Sequence, residues 1–303
     1  MAVYFLSMKI KHLLGGAFFA TMSLNSQTIE ILNYSSNEPV HFASVIFYKE
    51  NKTVTGDYAN ENGILNFQYR DFDCIEISCI GFETKKFDKK NITEKLYLKE
   101  TVIQLPEIIV NGKASVEIGY INKKKVKLKR NLSIGKFIQI AEFIENPFKV
   151  PVLIKSFSFK LIEVRGRPIY RLHLYRKHET ENIPGEDILT KDLVYSLDEE
   201  AKGLVELDLA EYGVELPPDG IYIALEGLGS YDKNGNPDEN GGFDFEMFLT
   251  DEYIHLYKYE FFDGPEGWIN RNEQLKKDEE FMGRKIWKKS FIAPCFGLKV
   301  QQP

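Results

Sequence analysis

From Thr28 onward the chain alternates apolar and polar positions in short runs separated by turn-forming residues. In the first part these runs are TIEIL (28–32), HFASVIFY (41–48), GILNFQ (63–68), CIEISCI (74–80), KLYLK (95–99) and EIIVN (107–111). Successive side chains of a strand point to opposite faces, so a period of two writes one buried and one solvated face, and each run reads as a strand. A turn falls around Lys49 to Lys52, and Asn60-Glu61-Asn62-Gly63 supplies another, with Gly63 free to take a positive φ. In CIEISCI, Ile75, Ile77 and Cys79 share one face and Cys74, Glu76 and Ser78 the other, so the two thiols point apart. At about 3.3 Å per residue they are also roughly 16 Å apart along the strand, against about 7 Å between the Cα atoms of a disulfide.

The alternation continues through the second part: KVPVLIKSFSFKLIEV (149–164), IYRLHLYRK (169–177), DLVYSL (192–197), GLVELDL (203–209), GIYIALEGL (220–228), FEMFL (245–249), YIHLYKYEFF (253–262) and a last strand near Phe291 to Val300. Pro184-Gly185, Pro217-Pro218-Asp219-Gly220 and Asn234-Gly235 punctuate it. One helix is expected at Asn272 to Phe281 and a second, short one after Leu132. The pattern predicts an all-β chain: a small Ig-like or prealbumin-like β-sandwich followed by a larger antiparallel β-sandwich or jelly roll. The 22 Phe and 16 Tyr among 303 residues reinforce the sheet reading.

Composition narrows location and partners. MKIKH (8–12) is basic and LLGGAFFATMSL after it is apolar over about the length of a signal-peptide core, with Met8 a second candidate start and cleavage expected near Ser26 or Gln27. No later run reaches the ~20 apolar residues of a spanning helix, and no cysteine follows the apolar run as a lipid-anchor site. An exported protein of the periplasm, cell surface or medium is expected, with outer-membrane association compatible. The net charge of -6 argues against nucleic acid as a partner. The expected organisation is a signal peptide at 1–27, a small sandwich at 28–113, a basic linker or edge strand at 114–130 containing KKKVKLKR (123–130), and a C-terminal sandwich at 131–303. Lysines along such a segment discourage edge pairing, and phosphate-bearing envelope lipids are the alternative partner for them. Cys74, Cys79 and Cys295 form an odd set without a CxxC pair and read as small buried hydrophobes.

The succession Glu38-Pro39-Val40, Ala43-Ser44-Val45, Thr53-Val54-Thr55, Asn62-Gly63-Ile64-Leu65 and Ile75-Glu76-Ile77-Ser78-Cys79-Ile80-Gly81-Phe82-Glu83-Thr84, closed by Leu105-Pro106-Glu107-Ile108-Ile109-Val110, resembles the carboxypeptidase-regulatory-like domain found ahead of the plug of TonB-dependent outer-membrane receptors and also alone. The resemblance covers roughly 28–113 and implies a small sandwich in which the Gly81-Phe82 step ends a strand and folds the ring onto the body. The sequence departs from the family pattern at Thr55-Gly56-Asp57, where Tyr58 to Asn62 stretch the local turn. Residues 114–303 are too few for a receptor's plug and large barrel, so a TonB-dependent transporter is not expected. Tyr-Arg-Leu-His-Leu-Tyr (170–175) and Gly-Ile-Tyr-Ile-Ala-Leu-Glu (220–226) make the second part similar to uncharacterised β-rich regions that follow this domain in bacterial envelope proteins, which implies architecture and location without an activity.

Three constellations invite chemistry. His178-Glu179-Thr180-Glu181 matches His-x-x-Glu, with His255 a nominal third zinc ligand. It opens a loop after a strand, and the α/β domain of the metallocarboxypeptidases is missing, so exposed turn residues are the reading adopted. Asp232, Asn234, Asn236 and Asp238 place oxygens at alternate positions as a calcium loop would, but Pro237 stands where an EF-hand has glycine and Phe243 where it has glutamate. A plain acidic hairpin is favoured; those four residues are the first candidates for a Ca²⁺ ion, and no other cofactor is expected. Tyr253, His255, Tyr257, Tyr259 and Phe261 share one strand face, with Trp268 following, so Tyr253, Tyr257, Tyr259 and Trp268 are candidates for stacking on sugar faces, with core packing the competing use. No GxSxG elbow, phosphate loop or HExxH helix occurs. The expected function is a non-enzymatic, exported envelope protein whose partner is another envelope protein or a glycan. A polysaccharide-acting hydrolase using loop carboxylates and a structural surface component are the alternatives.

Overall fold

A computed structural model describes residues 27–101, 114–123, 132–261, 267–281 and 291–303. Of the expected signal peptide at 1–27 all but Gln27, and of the basic run at 123–130 all but Lys123, lie outside the described residues, as does the expected closing element at 105–110. Among the described residues the chain is nearly all β, 56% strand against 5% helix.

The first seven strands are β1 (Gln27–Asn33), β2 (Ser44–Lys49), β3 (Lys52–Tyr58), β4 (Ile64–Phe67), β5 (Cys74–Ser78), β6 (Lys85–Asp88) and β7 (Lys95–Leu98). They form two sheets, β3-β2-β5-β6 and β4-β1-β7, the latter holding β1 and β7 parallel. Ile29, Ile31, Val45, Phe47, Ile75, Ile77 and Leu98 from both sheets make one apolar core. Within β5 the alternation is as expected: Ile75 and Ile77 are fully buried, while Cys74, Glu76 and Ser78 on the other face are partly exposed. Two of these strands were not in the sequence reading. β3 and β6 are edge strands rich in Lys, Thr and Asp, whose weak apolar alternation hides strands that are held by pairing to β2 and β5.

The remaining chain contributes β8 (Ser115–Gly119), β9 (Ser133–Ile134), β10 (Ile138–Ile144), β11 (Val152–Arg165), β12 (Arg167–Lys177), β13 (Pro184–Asp187), β14 (Leu193–Ser196), β15 (Gly203–Asp208), β16 (Glu215–Leu216), β17 (Ile221–Tyr231), β18 (Gly242–Phe245), β19 (Met247–Thr250), β20 (Leu256–Glu260), β21 (Ile269–Asn270), α1 (Arg271–Phe281), β22 (Phe291–Pro294) and β23 (Phe296–Gln301). One seven-stranded sheet runs β13-β12-β17-β10-β20-β21 with β14 beside β12; the other runs β8-β23-β11-β18-β9 with β15 and β16 beside β11. Leu172, Ile223 and Ile140 of the first pack against Phe157, Phe159, Phe243 and Leu298 of the second in a single core. Phe159 meets Tyr170 across it at 5.9 Å between ring centroids. The helix stands where the sequence placed it. The short helix expected after Leu132 is instead β9 and β10, and β10 is a central strand: Ile140 and Ile144 point into the core, and the polar Glu142 in the same row is what obscured the alternation.

The Ile80-Gly81-Phe82 step joins the two bodies. Phe82 packs on the first core and Ile80 on the second. Gly81 has φ +84°, and a Cβ there would lie 2.7 Å from the Thr190 carbonyl oxygen, so only glycine allows this approach.

Candidate functional site

The inner face of the first seven-stranded sheet is apolar apart from Glu142; its outer face is not. Register sets out three rows across the strands. Arg171 of β12 stands opposite Glu226 of β17, Glu226 opposite Gln139 of β10, and Gln139 opposite Tyr259 of β20. The next row is His173, Ala224, Ala141 and Tyr257, and the third is Tyr175, Tyr222 and Phe143. The face therefore grades from polar at one end to aromatic at the other.

The polar end meets the N-terminal sandwich. Arg171 donates through Nε to Asp192 Oδ1 (2.6 Å), through Nη2 to Asp192 Oδ2 (3.0 Å) and through Nη1 to Glu226 Oε2 (3.0 Å). His173 lies with Nε2 2.9 Å from Glu226 Oε2 and Nδ1 2.7 Å from Asp187 Oδ2. From the N-terminal side, the Tyr58 hydroxyl donates to Glu226 Oε1 at 2.7 Å, and the Phe42 carbonyl accepts from Arg171 Nη2 at 2.8 Å. Cys79 Sγ is 3.5 Å from Asp192 Oδ2. Phe42 sits at φ +51°, a conformation that costs a bulky side chain on the order of 1 kcal/mol and that accompanies its carbonyl's contact with Arg171. Lys136 and Asp57 pair at 2.5 Å beside this cluster, and Tyr58 stacks on Phe137 at 5.3 Å.

The charges reinforce one another. Burial alone would push the Glu226 carboxyl up, but the Arg171 guanidinium, His173 and the Tyr58 hydroxyl outweigh it and hold the pKa at about 2. Burial alone would push His173 down; its contacts with Asp187 and Glu226 raise it to about 9, so the imidazolium is the resident form. Burial and the Asp192 carboxylate together drive the Cys79 thiol upward, which makes it inert.

At the aromatic end, Tyr257 is 6% exposed and packs with Tyr222 over Ala141 and Ala224, so it offers no ring face to a solute. Trp268 covers the same patch, 5.9 Å from Tyr175 and 5.4 Å from Tyr259. Ile254 and Leu256 face the cores, which settles that the ring-bearing side of this segment is the outward one. Tyr253, 44% exposed, is the member left open. Its ring is held edge-on by His255 (4.8 Å) and Phe291 (5.0 Å), and its hydroxyl accepts from Asn270 Nδ2 at 2.6 Å. Tyr259 and Trp268 are half-buried. The structure thus separates the four residues into one buried ring, two partly covered rings and one presented ring.

Asp232 to Asp238 form an exposed hairpin loop. Asp232 Oδ1 accepts the backbone N–H groups of Asn234 and Asn236, and Oδ2 accepts Asn236 Nδ2. These bonds lower the Asp232 pKa and engage three of its carboxylate's about four lone-pair sites. Asp238 Oδ1 accepts from the Asn240 N–H. His178 is exposed and bonds within its own loop. Among the described residues no group of three or more His, Cys, Asp or Glu side chains is arranged to hold a metal ion, and all three cysteines are free thiols.

The sequence reading quoted Tyr170 to Tyr175 and Gly220 to Glu226 as markers without seeing their shared chemistry. Arg171 and His173 at alternate positions of a strand, and Glu226 at the end of an apolar run, are charges placed where a sheet face will be covered, and that was the available signal. No family model matches the chain.

Proposed function

We propose that the protein is a non-catalytic, exported envelope protein in which an N-terminal sandwich of the carboxypeptidase-regulatory-like kind is docked on a larger sandwich that binds a glycan through the aromatic end of its outer sheet face. The carrying observation is Tyr253, a presented ring held by two neighbouring rings and by Asn270, with Glu273 Oε1 3.5 Å from its hydroxyl. A fixed apolar face rimmed by an amide and a carboxylate matches a pyranose, which has an apolar face and equatorial hydroxyls. What speaks for binding over hydrolysis is the state of the carboxylates at the seam. Glu226 accepts from Tyr58, Arg171 and His173, and Asp192 from Arg171; Asp187 contacts His173 and accepts from the N–H groups of Leu174 and Leu189. None is left to act as a general acid or base.

The test is a glycan array with the full-length protein, followed by calorimetric titration of the best hit against Tyr253→Ala. A loss of about tenfold in affinity with unchanged melting is expected from a stacking contact worth about 1.4 kcal/mol. Absence of any glycan ligand, or equal affinity in the variant, sinks the reading.

A further inference from the structure

We infer that the contact between the two sandwiches is a separable latch, a device that closes in one register yet can open without unfolding either body. The first ground is how the charges are divided. Arg171, His173, Asp187, Asp192 and Glu226 all belong to the C-terminal sandwich and pair among themselves. Among the described residues the N-terminal sandwich adds to this cluster only neutral groups, the Tyr58 hydroxyl, the Phe42 carbonyl and the Cys79 thiol. Opening the seam therefore returns uncharged groups to water and leaves every charge of the cluster with an ionic partner, which avoids the stranded buried charge that makes most internal ion pairs costly to break. Among the described residues the one ion pair that spans the seam, Lys136 with Asp57, is more than a third exposed on both sides and separates into solvent.

The second ground is that each body keeps its own core. Ile29 to Leu98 pack in one cluster and Leu132 to Val300 in another, and among the described residues the apolar groups that cross between them include Ile80 and the rings of Tyr58, Phe137 and Phe261. The third is Phe42, which stays held within its own sandwich by its N–H donating to the Asn60 carbonyl when Arg171 no longer takes its carbonyl. Opening would present the Arg171, Glu226 and Gln139 row, which continues into the aromatic rows of the same face.

The test uses the full-length protein with two sets of changes. Ile80→Glu puts a charge in the apolar contact, and Tyr58→Phe with Asp57→Asn removes one hydrogen bond and one ion pair while keeping the ring. Small-angle scattering of the wild type should give a radius of gyration near the ~19 Å of a single body of this length. Ile80→Glu should raise it by about a tenth, with the aromatic circular dichroism of both bodies retained. Tyr58→Phe with Asp57→Asn should speed amide exchange at the seam about tenfold or more with both cores unchanged. Loss of both cores together in Ile80→Glu and in the double variant would make the seam part of one indivisible core and overturn the latch. A seam that stays shut and equally protected in both would do so as well.

Discussion

Two glutamates on neighbouring strands of one sheet, both shut off from solvent, are in opposite chemical states. Glu226 on β17 faces outward to the seam and is 2% exposed; Glu142 on β10 faces inward to the core and is 0% exposed. Glu226 accepts from Tyr58, Arg171 and His173 and is ionised, with a pKa near 2. Neither carboxylate oxygen of Glu142 has a hydrogen-bond partner, and burial holds its carboxyl neutral, well above the ordinary range. Depth of burial is the same, so the partners decide the charge. The outer face was assembled to keep an ion; the inner face tolerates an acid only by keeping its proton.

Removing the partner should break the comparison most severely. Arg171→Met strips Asp192 of its cation and leaves Glu226 with the His173 imidazolium alone, and a loss of about 3–5 kcal/mol in unfolding free energy is expected from denaturant titration. A loss below about 1 kcal/mol would mean that the carboxylates are rescued by water and that the seam is wetter than its geometry indicates.

The pH profile comes next in size. His173 has a folded pKa raised from 6.5 to about 9, so its stabilisation is full below pH 6.5 and disappears as pH rises through 9, on the order of 3 kcal/mol in total. Glu226, lowered from 4.5 to about 2, works in the other direction: its share is full above pH 4.5 and is lost as pH falls through 2. Glu142, raised, gives stability that is full below pH 4.5 and declines above it. Greatest stability is therefore expected near pH 4.5, declining above it as Glu142 loses its advantage and more steeply above pH 6.5 as the His173 share is lost. Midpoints of urea unfolding measured from pH 3 to 10 check this, and His173→Phe should flatten the alkaline limb.

How much of this could be read from the residues depends on which face they serve. The all-β class, the first sandwich and the helix at 271–281 were legible because each rests on local alternation or local propensity. Lys52 to Tyr58 was not, since its strand is held by pairing with β2 instead of by an apolar face of its own. Arg171, His173, Glu226 and Tyr58 were out of reach as a set, because residues 58 and 226 meet only through tertiary docking. The aromatic row was visible, but the sequence could not say that Ile254 and Leu256 would take the core side and leave Tyr253 presented.

Replacing the orphan sharpens the comparison from the inner side. Glu142→Met removes a carboxyl that makes no hydrogen bond and puts a flexible apolar side chain of similar length beside Ile140 and Ile144. A gain of about 1–3 kcal/mol at pH 7 is expected, shrinking toward pH 4, where the unfolded chain also holds the proton. An unchanged or lowered midpoint would show that Glu142 has a partner supplied from outside the chain.

The smallest effect belongs to a carboxylate at the surface, where the same rule operates with water as the competitor. Asp232 is satisfied by the N–H groups of Asn234 and Asn236 and by the Asn236 side chain, much as Glu226 is by its three donors. A cation would have to share the carboxylate with those donors, on which the loop's backbone conformation rests. Millimolar calcium is therefore expected to leave the melting temperature of the full-length protein unchanged, while Asp232→Ala lowers it slightly by freeing two turn amides. A rise in melting temperature with calcium that vanishes in Asp232→Ala would mean that the loop exchanges its own amides for an ion, and would put it in a different class from the seam, where every donor is built in.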